Sequence, residues 1–317
     1  GNPVTNQKNV SGFWLAGGVN IRAIDCTAVG VLGDKNASGF EWPSQLNHEP
    51  ENVWIFQDNV SHNNFRQGIF IWQNDDNDHI VERTTIYHAG DHGVNWGAYS
   101  NPYVFRDGLI KACGSSAVAQ HVTGQPSDTG QLPRWERVIF DASGADHCLE
   151  IVRTHVESEA KVLYLDCVFT GQLASAVSVT NDNTLGVWQE IDFVNTGAGT
   201  DLLPDDFELG AVAPGTIIRI QRADGSADQM DDQGRWTPIA SFHQATSPPP
   251  PVSTSTTTSA TTTTGAPGST TTLAADEHGH LQGLVDQAQD ALSTRKLGSL
   301  QRALDELETV LDAHAGS

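Results

Sequence analysis

The chain has 317 residues, 38% hydrophobic and 18% charged, and a formal net charge of −22. That charge excludes the basic footprint of a nucleic-acid binder, and it opposes an acidic polysaccharide unless a cation or a local basic patch intervenes. No apolar run reaches the roughly 18 residues needed to span a bilayer.

The sequence opens at Gly1 without Met or a secretion signal, so it reads as a fragment or a mature form. From Ser11 onward a short pattern recurs. Ser11-Gly12-Phe13-Trp14-Leu15 starts it, and Asn20 to Asp25 leads into Gly39-Phe40-Glu41-Trp42. The pattern is clearest from Asn52 to Gly108, where Val53-Trp54-Ile55-Phe56 restarts at Gly68-Ile69-Phe70-Ile71-Trp72 and again at Gly93-Val94-Asn95-Trp96. It continues through Ala117-Val118-Ala119, Cys148-Leu149-Glu150-Ile151 and Ala176-Val177-Ser178-Val179. A repeat in the range of about 20–50 residues points to a stacked solenoid.

An Asp follows the second strand of most units: Asp25, Asp58, Asp107, Asp141, Asp166 and Asp192, with Arg83 as the exception. Stacked above one another, these are expected to form a ladder at one corner that hydrogen-bonds turn backbone. Cys26 and Cys167 occupy the same place several units apart, beyond disulfide reach, so the four cysteines are expected as free, packed thiols.

Strand alternation separates two faces. The residue after each Gly opens an inward row of Phe13, Phe40, Ile69, Val94, Val118, Leu149 and Val177. A second inward row holds Leu15, Trp42, Ile71, Trp96, Gln120, Ile151 and Val179. Outward lie Trp14, Glu41, Phe70, Asn95, Ala119, Glu150 and Ser178, followed by Trp72 and His121. Longer connections leave the same edge at Ser44–Glu49, Asn74–Asp78, Ala98–Asn101 and Thr123–Pro133. Such loops would wall a shallow cleft. There Phe70, Trp72, Asn95, Tyr99 and Glu150 are the candidate sugar contacts, since a sugar stacks its C–H face on a ring and bonds its hydroxyls to amides and carboxylates.

Two polar clusters are candidates for chemistry. His88, Asp91, His92 and His121, with Asn95 among them, combine imidazoles and a carboxylate on neighbouring units, the makings of a general acid–base pair or a divalent-metal site. Asn74-Asp75-Asp76-Asn77-Asp78 is oxygen-rich. Asp75, Asp76 and Asp78 could hold Ca²⁺, or the stretch is a solvated turn, since the Gly and terminal Glu of an EF-hand are missing. Glu150 with Arg153 and His155 is a further polar group. Glu41 and Glu150 stand too many units apart, at about 4.8 Å each, to work as a glycosidase pair.

Towards the end of the repeats, Gly215 to Ile220 alternates as a strand, Asp224-Gly225 turns, and Gly234 to Phe242 follows, which suits an end cap on the stack. The predicted body is therefore residues 1–243. Residues 244–275 are rich in Pro, Ser and Thr, with Pro248 to Pro251 in a row, and read as a disordered linker. In residues 276–317, Leu281, Leu284, Val285, Ala288 and Leu292, then Leu300, Ala303, Leu304, Leu307 and Leu311, follow helical spacing and predict a small α-helical hairpin. A hairpin of this size needs help to be stable.

Units of this length, with Gly-apolar-x-apolar strands and a polar ladder, resemble the right-handed parallel β-helix of the pectate-lyase-like superfamily over roughly the first three quarters of the chain. More narrowly, Gly12-Phe13-Trp14-Leu15, Gly39-Phe40 and Asp58-Asn59-Val60-Ser61-His62-Asn63-Asn64 look like the β-helix region of G8-domain proteins, a group that includes the cell-migration-inducing hyaluronidases. These resemblances imply an all-β, single-chain solenoid that is secreted or on the cell surface and handles glycans. The paired Asp, Gly-His-Gly and Arg-x-Lys of polygalacturonases are missing, and so is the Asp-His with downstream Arg pair of pectate lyases. Resemblance thus implies a fold and a substrate class but no reaction. The expected function is recognition of a polysaccharide, extending to cleavage of lyase or glycoside hydrolase type. The alternative is a non-catalytic adhesion scaffold whose C-terminal helices engage a protein partner.

Overall fold

The computed structural model describes residues 10–15, 21–33, 37–42, 54–71, 79–96, 103–121, 132–153, 160–180 and 189–240. The Pro/Thr-rich linker, the helical stretch from residue 276, and the loop residues Trp72, Asp75, Asp76, Asp78, Tyr99 and His155 lie outside them.

The chain winds as an all-β parallel solenoid with three faces. Every third strand joins the same sheet. The first sheet has eight strands from Ser11–Trp14 to Phe207–Leu209, the second has ten from Arg22–Ile24 to Trp236–Ile239, and the third has six from Thr27–Val29 to Val168–Thr170. Within the coils all pairing is parallel and nearly all of it is in strict register. One irregularity, between Gln120 and His121, shifts the register so that His121 pairs with Arg153.

The inward rows read from alternation are the rows found. Phe13, Phe40, Ile69, Val94, Val118, Leu149 and Val177 stack in register. The second sheet adds an aromatic column: Phe105 lies 4.1 Å from Trp135, stacked, and Tyr164 lies 4.6 Å from Phe193. Burying such columns supplies most of the driving force, at about 25 cal/mol per Å² of apolar surface. Gln120 is the polar member of its row. Its Oε1 accepts from Trp135 Nε1 at 3.0 Å and from the Tyr164 hydroxyl, so the buried amide oxygen is satisfied.

Glycine at the strand start is a packing requirement. A Cβ on Gly68 would sit 2.2 Å from Ile86 Cγ2, and one on Gly93 would sit 2.2 Å from Ile110 Cγ2. Where the first sheet bends in from the third, the narrow coil leaves no room for a side chain.

The corner between the second and third sheets differs from the expected Asp ladder. One residue per coil turns it in the left-handed region: Asp25, Asp58, Arg83, Asp107, Arg137 and Asp166, with φ between 45° and 56°. Arg83 is therefore a member, and so is Arg137. Asp141 and Asp192 are not members. Asp141 ends the strand Ile139–Asp141, and Asp192 lies inside Gln189–Val194. The ladder is held by charge between coils as well as by turn hydrogen bonds, since Arg83 bonds Asp58 and Arg137 bonds Asp107.

At its far end the second sheet turns antiparallel. Ile217–Gln221 pairs with Ala227–Met230, which pairs with Trp236–Ile239. The turns use Gly225 and Gly234 at φ 84° and 73°. Trp236 closes on Phe207, 5.2 Å between rings, and Met230 is buried, so the meander covers the last coil as a cap should.

Candidate functional site

The outer face of the first sheet carries one register column: Trp14, Glu41, Phe70, Asn95, Ala119, Glu150, Ser178 and Glu208. Parallel pairing sets these side chains about 4.8 Å apart along the solenoid axis. Beside them runs a second polar row, made by the residue ahead of each strand-start Gly or Ala: Ser11, Ser38, Gln67, His92 and Ser116 among them.

The first two coils bring Trp14 directly across from Glu41. Trp14 is 66% exposed, whereas Glu41 is only 3% exposed. Burial raises the Glu41 carboxyl above its ordinary range, and the hydrogen bond from Ser11 Oγ to Oε2, 2.6 Å long, opposes that rise. An open indole face thus stands beside a carboxyl that is costly to ionise.

Further along, Asp91 and His92 come together as expected, in company not foreseen. His92 Nδ1 is 2.8 Å from Ser116 Oγ, and its Nε2 is 3.4 Å from Asp91 Oδ1. Asp91 also accepts from Ser115 Oγ at 2.8 Å and faces Arg66 at 3.8 Å. Ser, His and Asp are therefore chained through one imidazole. Ser116 is fully buried, however, so its hydroxyl orients the ring and does not present itself to a substrate. A related trio recurs near the far end: His147 Nδ1 lies 3.0 Å from Ser175 Oγ, and its Nε2 lies 3.7 Å from Glu208.

The other predicted histidines do not converge on His92. His88 turns the corner between the third and first sheets at φ 52° and lies edge-on to Tyr87. His121 stands five positions beyond Ser116, the partner of His92, which places it about 16 Å along the strand at about 3.3 Å per residue. Phe70 does face outward but is only 2% exposed, so it offers no open ring to a ligand. Asn95 and Glu150 face outward and are half-buried. Trp72, Tyr99 and the Ca²⁺ candidates Asp75, Asp76 and Asp78 lie outside the described residues. Among the described residues no group of three or more His, Cys, Asp or Glu side chains is placed to hold a metal.

Sequence reasoning passed over Ser11, Ser116, Ser175 and His147, and it left Trp14 and Glu41 unassigned within the outward row. Reading the residue ahead of each strand-start Gly, Ala or Cys as a column of its own would have found Ser11, Ser116, His147 and Ser175.

No known protein family, curated protein or solved structure matches the chain.

Proposed function

We propose that the protein recognises an extended polysaccharide laid along the outer face of the first sheet. The observation that carries this reading is the exposed Trp14 at the head of the column that continues through the half-buried Asn95, Glu150 and Ser178. An indole face takes the C–H side of a sugar ring, and the Asn95 amide and Glu150 carboxylate take its hydroxyls. A long, regular polymer suits a site that is itself a repeat. The net charge of −22 favours a neutral glycan over a uronic-acid polymer in the absence of a bridging cation.

The test is binding of the full chain to a polysaccharide panel with and without Ca²⁺, repeated with Trp14→Ala. Retention on at least one neutral polysaccharide, weakened about two- to tenfold in the variant, is the expected result for a stacking platform worth about 0.5–1.5 kcal/mol. Absence of retention on every glycan would favour the scaffold reading, which draws its own support from the charged Asp–Arg ladder stiffening one corner of the rod.

A further inference from the structure

The first coil ends the stack on three strand edges. Ser11–Trp14, Arg22–Ile24 and Thr27–Val29 are each the outermost strand of their sheet, pairing with the second coil on one side and with no described strand on the other. Such an edge is a template for a further strand. Apolar side chains gather there too. Trp14, Ile24, Val29 and Leu32 are between 41% and 66% exposed, and they are four of the seven exposed large apolar residues among those described. Phe13 stacks on Phe40 at 4.8 Å, so this inward row of the first sheet ends in a ring that is only half-buried.

The opposite end is built otherwise. Its last strand, Trp236–Ile239, carries Pro238, which has no N–H to offer a partner. Residues 201–240 there hold eight Asp or Glu against three Arg, whereas residues 10–15 and 21–33 of the first coil hold only Arg22 and Asp25 as charged side chains. In a chain of net charge −22, the first coil is the neutral end, where two copies meet with less repulsion than at the cap.

We propose that two copies of this chain join head to head through their first coils, about a two-fold axis that crosses the strand Ser11–Trp14 at Phe13. A second copy is the occupant this end fits because the patch is self-complementary about that axis. Ser11–Trp14, the longest of the three edge strands, runs antiparallel to its counterpart. Phe13 meets the Phe13 of the second copy and prolongs the inward row. Trp14 meets the exposed Gly12 of the second copy, whose missing side chain leaves room for the indole. The same rotation exchanges the other two faces. It lays Arg22–Ile24 against Thr27–Val29 of the second copy, so that the exposed Ile24 and Val29 cover each other. The contact does not rest on glycan binding. With roughly 20 residues a side it is at the small end of specific interfaces, so the association is weak.

Sedimentation velocity of the full chain from about 1 µM to 1 mM, in about 0.15 M salt to screen the distant charges, tests the assignment. A monomer–dimer equilibrium with a Kd on the order of 100 µM is expected. Ile24→Lys/Val29→Lys, at two exposed positions, should raise that Kd at least about tenfold with the β-sheet circular dichroism unchanged. In a Cys26→Ser background, a mixture of Ile24→Cys and Val29→Cys chains treated with a short bismaleimide should yield crosslinked dimers, and neither variant alone should. A chain that stays monomeric over the whole range would overturn the proposal, as would dimers that the Lys pair leaves intact. So would a mixture that fails to crosslink, or Ile24→Cys chains that crosslink to one another as readily as to Val29→Cys chains, because that would move the axis off the first sheet.

Discussion

Arg83 grips the Asp58 carboxylate of the preceding coil with two hydrogen bonds, Nε to Oδ1 at 2.6 Å and Nη2 to Oδ2 at 3.0 Å. Both residues turn the same corner with positive φ, 45° and 56°. Asp tolerates that conformation through its short polar side chain, whereas Arg has no such local advantage. The fork-to-carboxylate pair is what makes Arg useful there.

Replacing Arg83 with Asp sets carboxylates at positions 58, 83 and 107 of one ladder. The expected cost is about 1–2 kcal/mol in urea unfolding at low salt, partly recovered at about 1 M salt because these groups are only partly buried. Arg83→Asn, which accepts the left-handed backbone without adding charge, should lose less than about 1 kcal/mol. Equal losses for the two variants, unaffected by salt, would show that repulsion along the ladder adds nothing to the lost Arg83–Asp58 bonds.

The solenoid was legible because its signal is repeated. Each Gly-apolar-x-apolar strand is brief, but Phe13, Phe40, Ile69 and Val94 recur at the same place, and the inward rows follow from alternation alone. The corner was half legible. Asp25, Asp58, Asp107 and Asp166 stand where expected, yet Asp141 and Asp192 look identical in sequence and fall one strand away or inside one. Counting from strand to turn slips, and here the four positions between Arg137 and Asp141 change where on the coil a side chain sits. Exposure was least legible. Phe70 and Trp14 share one outward column, but only the folded structure distinguishes the covered ring from the open one.

Gly68 and Gly93 should resist substitution more than turn glycines do. Gly68→Ala drives a methyl to within 2.2 Å of Ile86 Cγ2 in a closed interior, and overpacking of this kind costs about 1–3 kcal/mol. Combining it with Ile86→Ala removes the clashing Cγ2, so the double variant should lose less than the sum of the two single ones. A double variant less stable than the sum of the two single ones would contradict the steric account.

Glu41 should make stability depend on pH in an unusual direction. Its folded carboxyl is raised above the ordinary value by burial, so its contribution favours folding below the unfolded pKa and fades as pH rises through the folded one. Glu41→Gln keeps an acceptor for Ser11 Oγ and removes the ionisation. The variant is expected to gain stability on the wild type at pH 7 relative to their difference near pH 4, measured by urea unfolding at both values. A constant difference across that range would mean that the carboxyl titrates alike in both states.

The thiols sort by burial. Cys113, Cys148 and Cys167 are buried with their pKa values pushed up to about 12 by desolvation, and Cys26 is half-buried on the first coil. The thiolate is the reactive species, so a group held near 12 is ionised only about one part in 10⁴ at pH 8. With a disulfide reagent at that pH, one thiol per chain is expected to react within minutes and three only on unfolding. Cys26→Ser should remove the fast phase and leave the slow one untouched. A fast phase that survives this substitution would place an accessible thiol among the three interior ones, and the coil packing around Trp135, Tyr164 and Phe169 would have to open to admit the reagent.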